Sequence, residues 1–205
     1  MADTGSFKIE EEMNSRRRFL VAATSVGGGI AGVAVATPFM LSMMPSERAK
    51  AAGAPVEVDI SRLEEGLLLM VEWRGRVVWI LKRTPEMLET LVTLEGELAD
   101  PNSEKDQQPD YAKNQARSIK PEILVVVGLC THLGCSPVFR KDIAPEDLGA
   151  DWLGGFFCPC HGSKFDLAGR VYKNLPAPTN LVVPPHTYLS DSRLLIGSED
   201  SKESA

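Results

Sequence analysis

The residue types in this sequence best suited to chemistry are four cysteines and two histidines, which lie in two short segments. The first segment, Cys-Thr-His-Leu-Gly-Cys, spans residues 130–135, and the second, Cys-Pro-Cys-His-Gly-Ser, spans residues 158–163. Thiolate and imidazole groups are ligands for zinc and iron. The connection between the segments contains no other Cys or His. We therefore expect one metal centre that draws ligands from both segments.

Composition alone does not decide which metal is bound. Two Cys and two His would satisfy a structural zinc ion, which takes four ligands. Zinc fingers commonly pair Cys with Cys and His with His at short separations. Here each segment instead contributes one His and two Cys. A zinc-binding structural module stays as an alternative at this point, and a colourless protein holding one zinc ion would establish it.

The two segments resemble the cluster-binding loops of the Rieske proteins of cytochrome bc-type quinol oxidases. The similarity extends to Ser15-Arg16-Arg17-Arg18-Phe19-Leu20, which resembles a twin-arginine export signal. It also extends to SIKPEILVVVGL before the first segment and to LPAPTNLVVPP after the second. The resemblance covers nearly the whole chain and implies one [2Fe-2S] cluster as cofactor.

The resemblance also implies which residues bind that cluster. The expected ligands are Cys130, His132, Cys158 and His161, and Cys135 and Cys160 are expected to form a disulfide. Two imidazoles in place of two thiolates raise the reduction potential from about −400 mV toward roughly −150 to +300 mV, a range suited to oxidising a quinol. An imidazole bound to ferric iron releases its proton more readily than one bound to ferrous iron, so reduction favours proton uptake.

Other roles follow from the same resemblance. His161 is expected to contact quinol and accept a proton, while His132 serves chiefly as a ligand. Leu133 is expected to shield the cluster and help form a docking tip, although it could instead be a core residue of its own loop. Ser163 is expected to donate a hydrogen bond to the cluster, with a plain turn serine as the alternative. The segment 176–178, Pro-Ala-Pro, resembles the loop that covers the cluster.

Two further residues give separate expectations. Phe165 departs from the family pattern, since many relatives have a tyrosine there whose hydroxyl donates to a ligand cysteine. Phenylalanine cannot donate, so we expect a lower reduction potential than in tyrosine-bearing relatives. His186 follows two prolines and has no other ligand type near it, so we predict that it lies on the surface.

The N-terminal region is predicted to contain a membrane anchor. Residues 19–44 form a run of 26 residues without charge, and a helix of that length, at about 1.5 Å per residue, can cross a hydrocarbon core of about 30 Å. The three preceding arginines place residues 1–18 in the cytoplasm by the positive-inside rule. Residues 45–55 then form a linker or hinge, and 56–200 form a periplasmic domain.

A cleaved export signal is the alternative to a permanent anchor. Ala49-Lys50-Ala51 has the small-x-small pattern of a cleavage site. We favour retention of the segment, because the apolar run exceeds the usual signal core of about 7 to 15 residues.

The rest of the chain is predicted to be mostly β. PVEVDI reads as a strand, LLLMVEW and RVVWILK as a hairpin through Arg74-Gly75, and Thr84-Pro85 as the start of a helix that ends near Leu94. Residues 95–122 are predicted to run over the surface, ILVVVGL to be a strand leading to Cys130, and the tail from LVVPP onward to form short strands. The resemblance implies an antiparallel framework with a small rubredoxin-like cluster-binding subdomain at about 128–180.

Charge and resemblance together define the expected function. The net charge is −6, while the first 44 residues carry equal numbers of acidic and basic side chains, so the domain is acidic and nucleic acid is not an expected partner. The resemblance implies an oxidoreductase subunit of a respiratory or photosynthetic quinol:cytochrome c reductase, a translocase of the bacterial inner membrane. Quinol, expected to be ubiquinol, would bind in cytochrome b and give one electron to the cluster, which passes it to a membrane-anchored c-type cytochrome in a dimeric complex.

Two other redox functions are alternatives to this one. The Rieske subunit of another periplasmic oxidase, such as arsenite oxidase, would share the export signal and the cysteine pair. A soluble Rieske ferredoxin that feeds an oxygenase is disfavoured by the same two features.

Overall fold

The computed structural model describes residues 4–46, 49–50 and 53–198. The chain divides into two compact units, Met1–Lys50 and Ala51–Ala205. The linker predicted for residues 45–55 falls partly outside the described residues, and it stays a prediction.

The first unit contains a long helix, α1, at Thr4–Ser42. Its stretch Asn14–Ser42 is, within the described residues, the one helix long and apolar enough to cross a membrane, and none of its most apolar window is buried by protein. The predicted apolar run lies in this helix except for its last two residues, Met43 and Met44.

The second unit is built mainly of antiparallel strands, which confirms the predicted fold class. Its described strands are β1 (Val56–Asp59), β2 (Leu68–Trp73), β3 (Arg76–Lys82), β4 (Ile123–Val127), β5 (Val138–Arg140), β6 (Gly155–Cys158), β7 (Ser163–Phe165), β8 (His186–Ser190) and β9 (Arg193–Ile196). They form three sheets with the strand orders β1-β9-β8, β2-β3-β4 and β5-β6-β7.

Local sequence signals explain the first hairpin and the second helix. Arg74 and Gly75 join β2 to β3 with φ angles of 52° and 69°, the doubly positive pattern that matches the twist of paired strands. Helix α2 runs from Pro85 to Thr93, and the Thr84 hydroxyl accepts a hydrogen bond from the Met87 N–H at 3.3 Å. Both predictions are confirmed.

Strands β3 and β4 are buried on both faces, so their sequences are almost continuously apolar. Because successive side chains of a strand point to opposite faces, alternate residues enter two different cores. One core lies against β1 and β9 and contains Val58, Val78, Ile80, Ile123, Val125, Leu194 and Ile196. The other contains Trp79, Leu81, Leu124 and Val126 together with Cys130, Phe156, Cys158 and Phe165. The framework and the metal-binding segments therefore share one apolar core.

The prediction that residues 95–122 run over the surface is wrong in part. Two short 3-10 helices, Glu95–Glu97 and Asp110–Ala112, occur there, and Ala112, Arg117 and Ser118 are buried. The buried arginine donates its hydrogen bonds to carbonyl groups of distant segments, which draws this polar stretch into the interior.

Two predictions for the tail are also wrong. Residues 181–185 form no strand, since Pro184 and Pro185 lack an N–H and the preceding groups bond to irregular partners, such as the Val183 N–H to the Gln107 carbonyl at 2.9 Å. His186 is fully buried rather than on the surface. Its N–H donates to the Tyr111 hydroxyl at 2.8 Å, and burial lowers the pKa of its imidazole, with the Pro184 carbonyl acting in the opposite direction.

Gly128 offers a test of how tightly the shared core fixes the chain just before Cys130. A Cβ at this position would collide with the indole of Trp79, which is 2% exposed and stacked on Phe156. We expect Gly128→Ala to lower the free energy of unfolding by about 1 to 3 kcal/mol, because the ring has no space to move. Denaturant unfolding of the full chain in detergent measures this change.

The matched control is Gly96→Ala, at an exposed position of the short 3-10 helix Glu95–Glu97, where no atom lies within 4 Å of the added Cβ. Equal unfolding free energies for the two variants would contradict the expectation for Gly128.

Candidate metal centre

The two Cys/His segments close in the same way. The first connects β4 to β5, and the second connects β6 to β7. The carbonyl of Cys130 accepts a hydrogen bond from the Gly134 N–H at 2.9 Å, and the carbonyl of Cys158 accepts one from the Gly162 N–H at 2.9 Å. Both glycines have positive φ, 79° and 76°, a conformation that glycine adopts without steric cost. The shared Cys-x-x-x-Gly spacing thus sets both turns.

The two thiols outside the disulfide lie together in the interior. Cys130 is 3% exposed and Cys158 is 2% exposed. The Cys130 sulfur accepts hydrogen bonds from the His132 N–H and the Ser163 hydroxyl and lies beside the Cys158 thiol. The pKa of the Cys130 thiol is raised above its usual value, chiefly by burial and also by the adjacent Cys158, while the His132 N–H and the Ser163 hydroxyl act in the opposite direction. These two donors favour the thiolate, which is the form that binds metal.

The two imidazoles lie next to each other nearer the surface. The rings of His132 and His161 have centroids 4.8 Å apart and meet edge to face at 85°. His132 is half-buried and His161 is exposed. The four predicted ligands are therefore sorted by type, with sulfur donors inside and nitrogen donors at the rim.

The structure contains the predicted disulfide between Cys135 and Cys160, whose Cα atoms lie 6.7 Å apart. The sulfurs of Cys135, Cys158 and Cys160 lie within 4.8 Å of one another. Although this group is close enough to hold a metal ion, a disulfide offers no thiolate, so these three sulfurs are not a ligand set. The disulfide instead joins the two segments beside the ligands.

A third loop, around the Pro-Ala-Pro sequence at 176–178, contacts both Cys/His segments. The Ala177 N–H donates to the Ser163 hydroxyl at 3.0 Å, and the Thr131 hydroxyl donates to the Thr179 carbonyl at 2.7 Å. Lys105 donates to the Pro178 carbonyl at 2.8 Å from the polar stretch 95–122. Sequence analysis singled out the prolines but missed Thr131 and Lys105, because neither residue type is distinctive at its position.

Leu133 and Phe165 differ in how far their side chains are exposed to solvent. Leu133 is 70% exposed, so the alternative that it is a core residue of its loop is wrong. Phe165 is fully buried, belongs to the same apolar core as Cys130 and Cys158, and shares a strand face with Ser163 because the two are two residues apart. Because the Phe165 side chain has no hydroxyl, it donates no hydrogen bond to the Cys130 sulfur, whereas the Ser163 hydroxyl does.

The donor set fits a [2Fe-2S] cluster with mixed ligands. Two buried thiols and two adjacent imidazoles can bind different irons, with histidines replacing cysteines on one of them. The hydrogen bonds to the Cys130 sulfur are of the kind that tune such clusters.

Comparisons with known proteins identify a domain of the Rieske type in this chain. The family model described as "Rieske [2Fe-2S] domain" matches residues 109–185, and the one described as "Ubiquitinol-cytochrome C reductase Fe-S subunit TAT signal" matches residues 8–46. The chain is 62% identical over 184 residues to the ubiquinol-cytochrome c reductase iron-sulfur subunit of Allochromatium vinosum, covering 90% of this chain and 89% of that protein.

Two further similarities were found. The chain is 42% identical to the ubiquinol-cytochrome c reductase iron-sulfur subunit of Blastochloris viridis, covering 90% of this chain and 93% of that protein. A solved structure described as "Hyperthermophilic respiratory Complex III" aligns with 24% identity and a TM-score of 0.47, covering 86% of this chain and 98% of the other.

The disulfide is expected to protect the metal centre more than the framework. On the chain-entropy model a loop of about 26 residues contributes some 3 to 4 kcal/mol, but a bound cluster already joins the same segments. We expect Cys160→Ser to shorten the lifetime of the cluster and lower its potential, with a smaller loss in the unfolding free energy of the β framework. Visible absorbance over time, redox titration and denaturant unfolding measure these quantities.

Ser136→Ala, an exposed neighbour of Cys135, is the control and should leave all three quantities unchanged. Comparable losses of cluster content and global stability in Cys160→Ser would argue against this role of the disulfide.

Proposed function

Because the chain belongs to the Rieske iron-sulfur subunits of ubiquinol-cytochrome c reductase, we propose that Cys130 and Cys158 bind one iron of its [2Fe-2S] cluster and that His132 and His161 bind the other. The bound cluster supplies a one-electron acceptor and donor of relatively high potential. The chain is a member of the bc1 assembly and has an N-terminal export signal and anchor helix. The alternatives of an arsenite oxidase subunit, a soluble ferredoxin and a zinc module are not supported.

The exposure of His161 is the observation that supports a direct role with quinol. The ring lies at the rim while both thiols are buried, so a quinol hydroxyl can reach it without displacing the protein core. The ring nitrogen of His161 that is not used for ligation accepts the hydrogen-bonded proton of the quinol. His132, which is half-buried, serves as a ligand and limits how the neighbouring ring can turn.

The surface beside His161 is suited to docking. Leu133 is 70% exposed, and Pro159, Pro176 and Pro178 are exposed near the same segments. Covering exposed apolar side chains with a partner protein is favourable, because it removes apolar surface from water. In our proposal this tip docks on cytochrome b at the quinol site and, after reduction, on a membrane-anchored c-type cytochrome.

The membrane arrangement follows from the charge distribution along the chain. Arg16, Arg17 and Arg18 precede the apolar stretch of α1, which favours a cytoplasmic N-terminus. The domain from residue 56 onward then lies in the periplasm at the inner membrane of a bacterium, in a dimeric complex. Residues 45–55 act as the hinge that lets the domain move between its two docking sites.

Electron paramagnetic resonance (EPR) of reduced membranes, combined with a redox titration, tests the function. We expect a mixed-ligand [2Fe-2S] signal with a potential inside the range of about −150 to +300 mV and a change in that signal when an inhibitor occupies the quinol site. Purified material without iron and acid-labile sulfide would exclude the cluster. A potential near the bottom of the range with no response to the inhibitor would exclude contact with quinol.

Phe165→Tyr tests how hydrogen bonds to the ligand sulfur set the potential. The new hydroxyl would enter the core that contains Cys130 and Cys158, where it can donate to a ligand sulfur and stabilise the reduced form. We expect the reduction potential to rise by up to about 59 mV, a tenfold change in the equilibrium constant for one electron.

Phe157→Tyr is the control for the added hydroxyl. Phe157 is half-buried and lies one residue before Cys158 on β6, so the two side chains point to opposite faces of the strand. A titration in which Phe165→Tyr shows no rise, with the EPR signal retained, would refute the expectation.

A further inference from the structure

The interior of the domain contains more positive than negative charge. Arg83, Arg117 and Arg170 are each at most 1% exposed, and the buried carboxylates in the described part of the chain are Asp166 and Asp100. Arg170 forms an ion pair with Asp166 at 2.7 Å, and both side chains are fully buried. This pair leaves two guanidinium groups and one further buried carboxylate, Asp100, which accepts hydrogen bonds from the N–H groups of Glu104 and Lys105.

Arg83 and Arg117 are bound by neutral acceptors. Arg83 donates to the carbonyls of Ala116 and Leu167 at 2.9 and 3.0 Å and to the Ser118 hydroxyl at 2.8 Å. Within residues 53–198, no carboxylate lies within ion-pair distance of either guanidinium.

Arg117 is bound in the same manner. Its guanidinium donates to the carbonyls of Ala168 and Leu181 at 3.1 and 2.7 Å, to that of Gly169 at 3.3 Å, and to the Gln108 side-chain carbonyl at 2.8 Å. Both arginines thus remain buried cations surrounded by dipoles.

Both groups carry their charge at neutral pH. Burial lowers the pKa of Arg83 and of Arg117 to about 10, with Asp166 opposing the shift in each case. A buried charge without an ionic partner costs several kcal/mol in desolvation. Neutral residues of similar size would avoid that cost, so the charges call for an explanation beyond packing.

Arg83 and Arg117 both bind backbone carbonyls that lie close in sequence to the second Cys/His segment. The carbonyls they bind, at Leu167, Ala168 and Gly169, lie two to four residues after the end of β7, beyond the ion-paired Asp166, on the chain that leads out of the second Cys/His segment. Leu167, Ala168 and Leu181 pack in the same apolar core as Cys130 and Cys158. Arg83 and Arg117 therefore bind the backbone of residues that pack in the same core as the two cysteines, and charges act more strongly in protein that excludes water.

We propose that the buried guanidinium groups of Arg83 and Arg117, which form no ion pair with a carboxylate of the described residues, raise the reduction potential of the [2Fe-2S] cluster by stabilising the electron that it gains. The inference rests on the proposed ligand set. Reduction adds one negative charge at the centre, and a cation held in the same low-dielectric core favours that state over the oxidised one. Arg83 and Arg117 act at a distance, as residues that tune the centre without touching it.

A substitution at Gln108 can neutralise the charge of Arg117 while leaving the guanidinium in place. Gln108→Glu places a carboxylate at the atom that already accepts from Arg117 at 2.8 Å. We expect the potential to fall, with the equilibrium constant for reduction lowered about three- to tenfold, where tenfold is about 59 mV for one electron. Both variants lose the hydrogen bonds that the Gln108 Nε2 donates to the Ser103 and Lys105 carbonyls. Gln108→Met also loses the acceptor for Arg117 but adds no charge, so its potential should stay near that of the wild type.

A second control separates buried from exposed charge. Gln115→Glu makes the same substitution in the same stretch at an exposed position, where solvent screens the charge, so we expect no shift. Arg117→Met should lower the potential as Gln108→Glu does, and Arg117→Lys, which keeps the charge, should restore most of it.

The potentials are measured by EPR-monitored redox titration of the full chain in membranes, without quinol turnover. The proposal is overturned if Gln108→Glu retains the cluster signal with an unchanged potential, or if Gln108→Met shifts the potential as far as Gln108→Glu. Absence of a mixed-ligand cluster signal in the wild type would instead refute the proposed ligand set, so the two failures are distinguishable.

Discussion

The structure depends on keeping two thiols in an apolar interior while two imidazoles reach the surface a few residues away. Cys130 and Cys158 are almost fully buried, whereas His161 is exposed. A chain that turns from core to rim within two or three residues needs tight backbone turns, and Gly134 and Gly162 supply them through their positive φ angles. The disulfide and the third loop then hold the exposed side, where few apolar contacts are available to do so.

This arrangement is possible because the framework provides a rigid base for both segments. Strands β3 and β4 contribute one face to the core that they share with β1 and β9, and the other face to the core that contains Cys130 and Cys158. Displacing either strand would disturb both cores, so the first segment starts from a fixed position. The second segment is fixed by the pairing of β6 with β5 and β7. Two independently anchored strand ends therefore converge on the same centre.

Those features that arise from neighbouring residues could be predicted from the sequence. The Arg74-Gly75 hairpin and the Thr84 cap depend on short-range backbone preferences, and the two Cys/His segments are recognisable as text. The errors concern residues whose surroundings come from distant parts of the chain. Arg117 looks like a surface residue in sequence, yet it binds carbonyls more than fifty residues away. His186 is buried because Tyr111, far along the chain, covers it and accepts its N–H.

The surface of the domain and its interior differ in charge, and the long-range contacts of the buried arginines produce this difference. The chain is acidic overall, with a net charge of −6, and an acidic exterior alone would disfavour adding an electron. Exposed charges are screened over about 8 to 10 Å by salt, however, while buried ones are screened much less. The buried excess is positive, since Arg83 and Arg117 lack ionic partners among the described residues. If the proposed tuning by Arg83 and Arg117 holds, the interior residues act on the cluster more strongly than the acidic surface does.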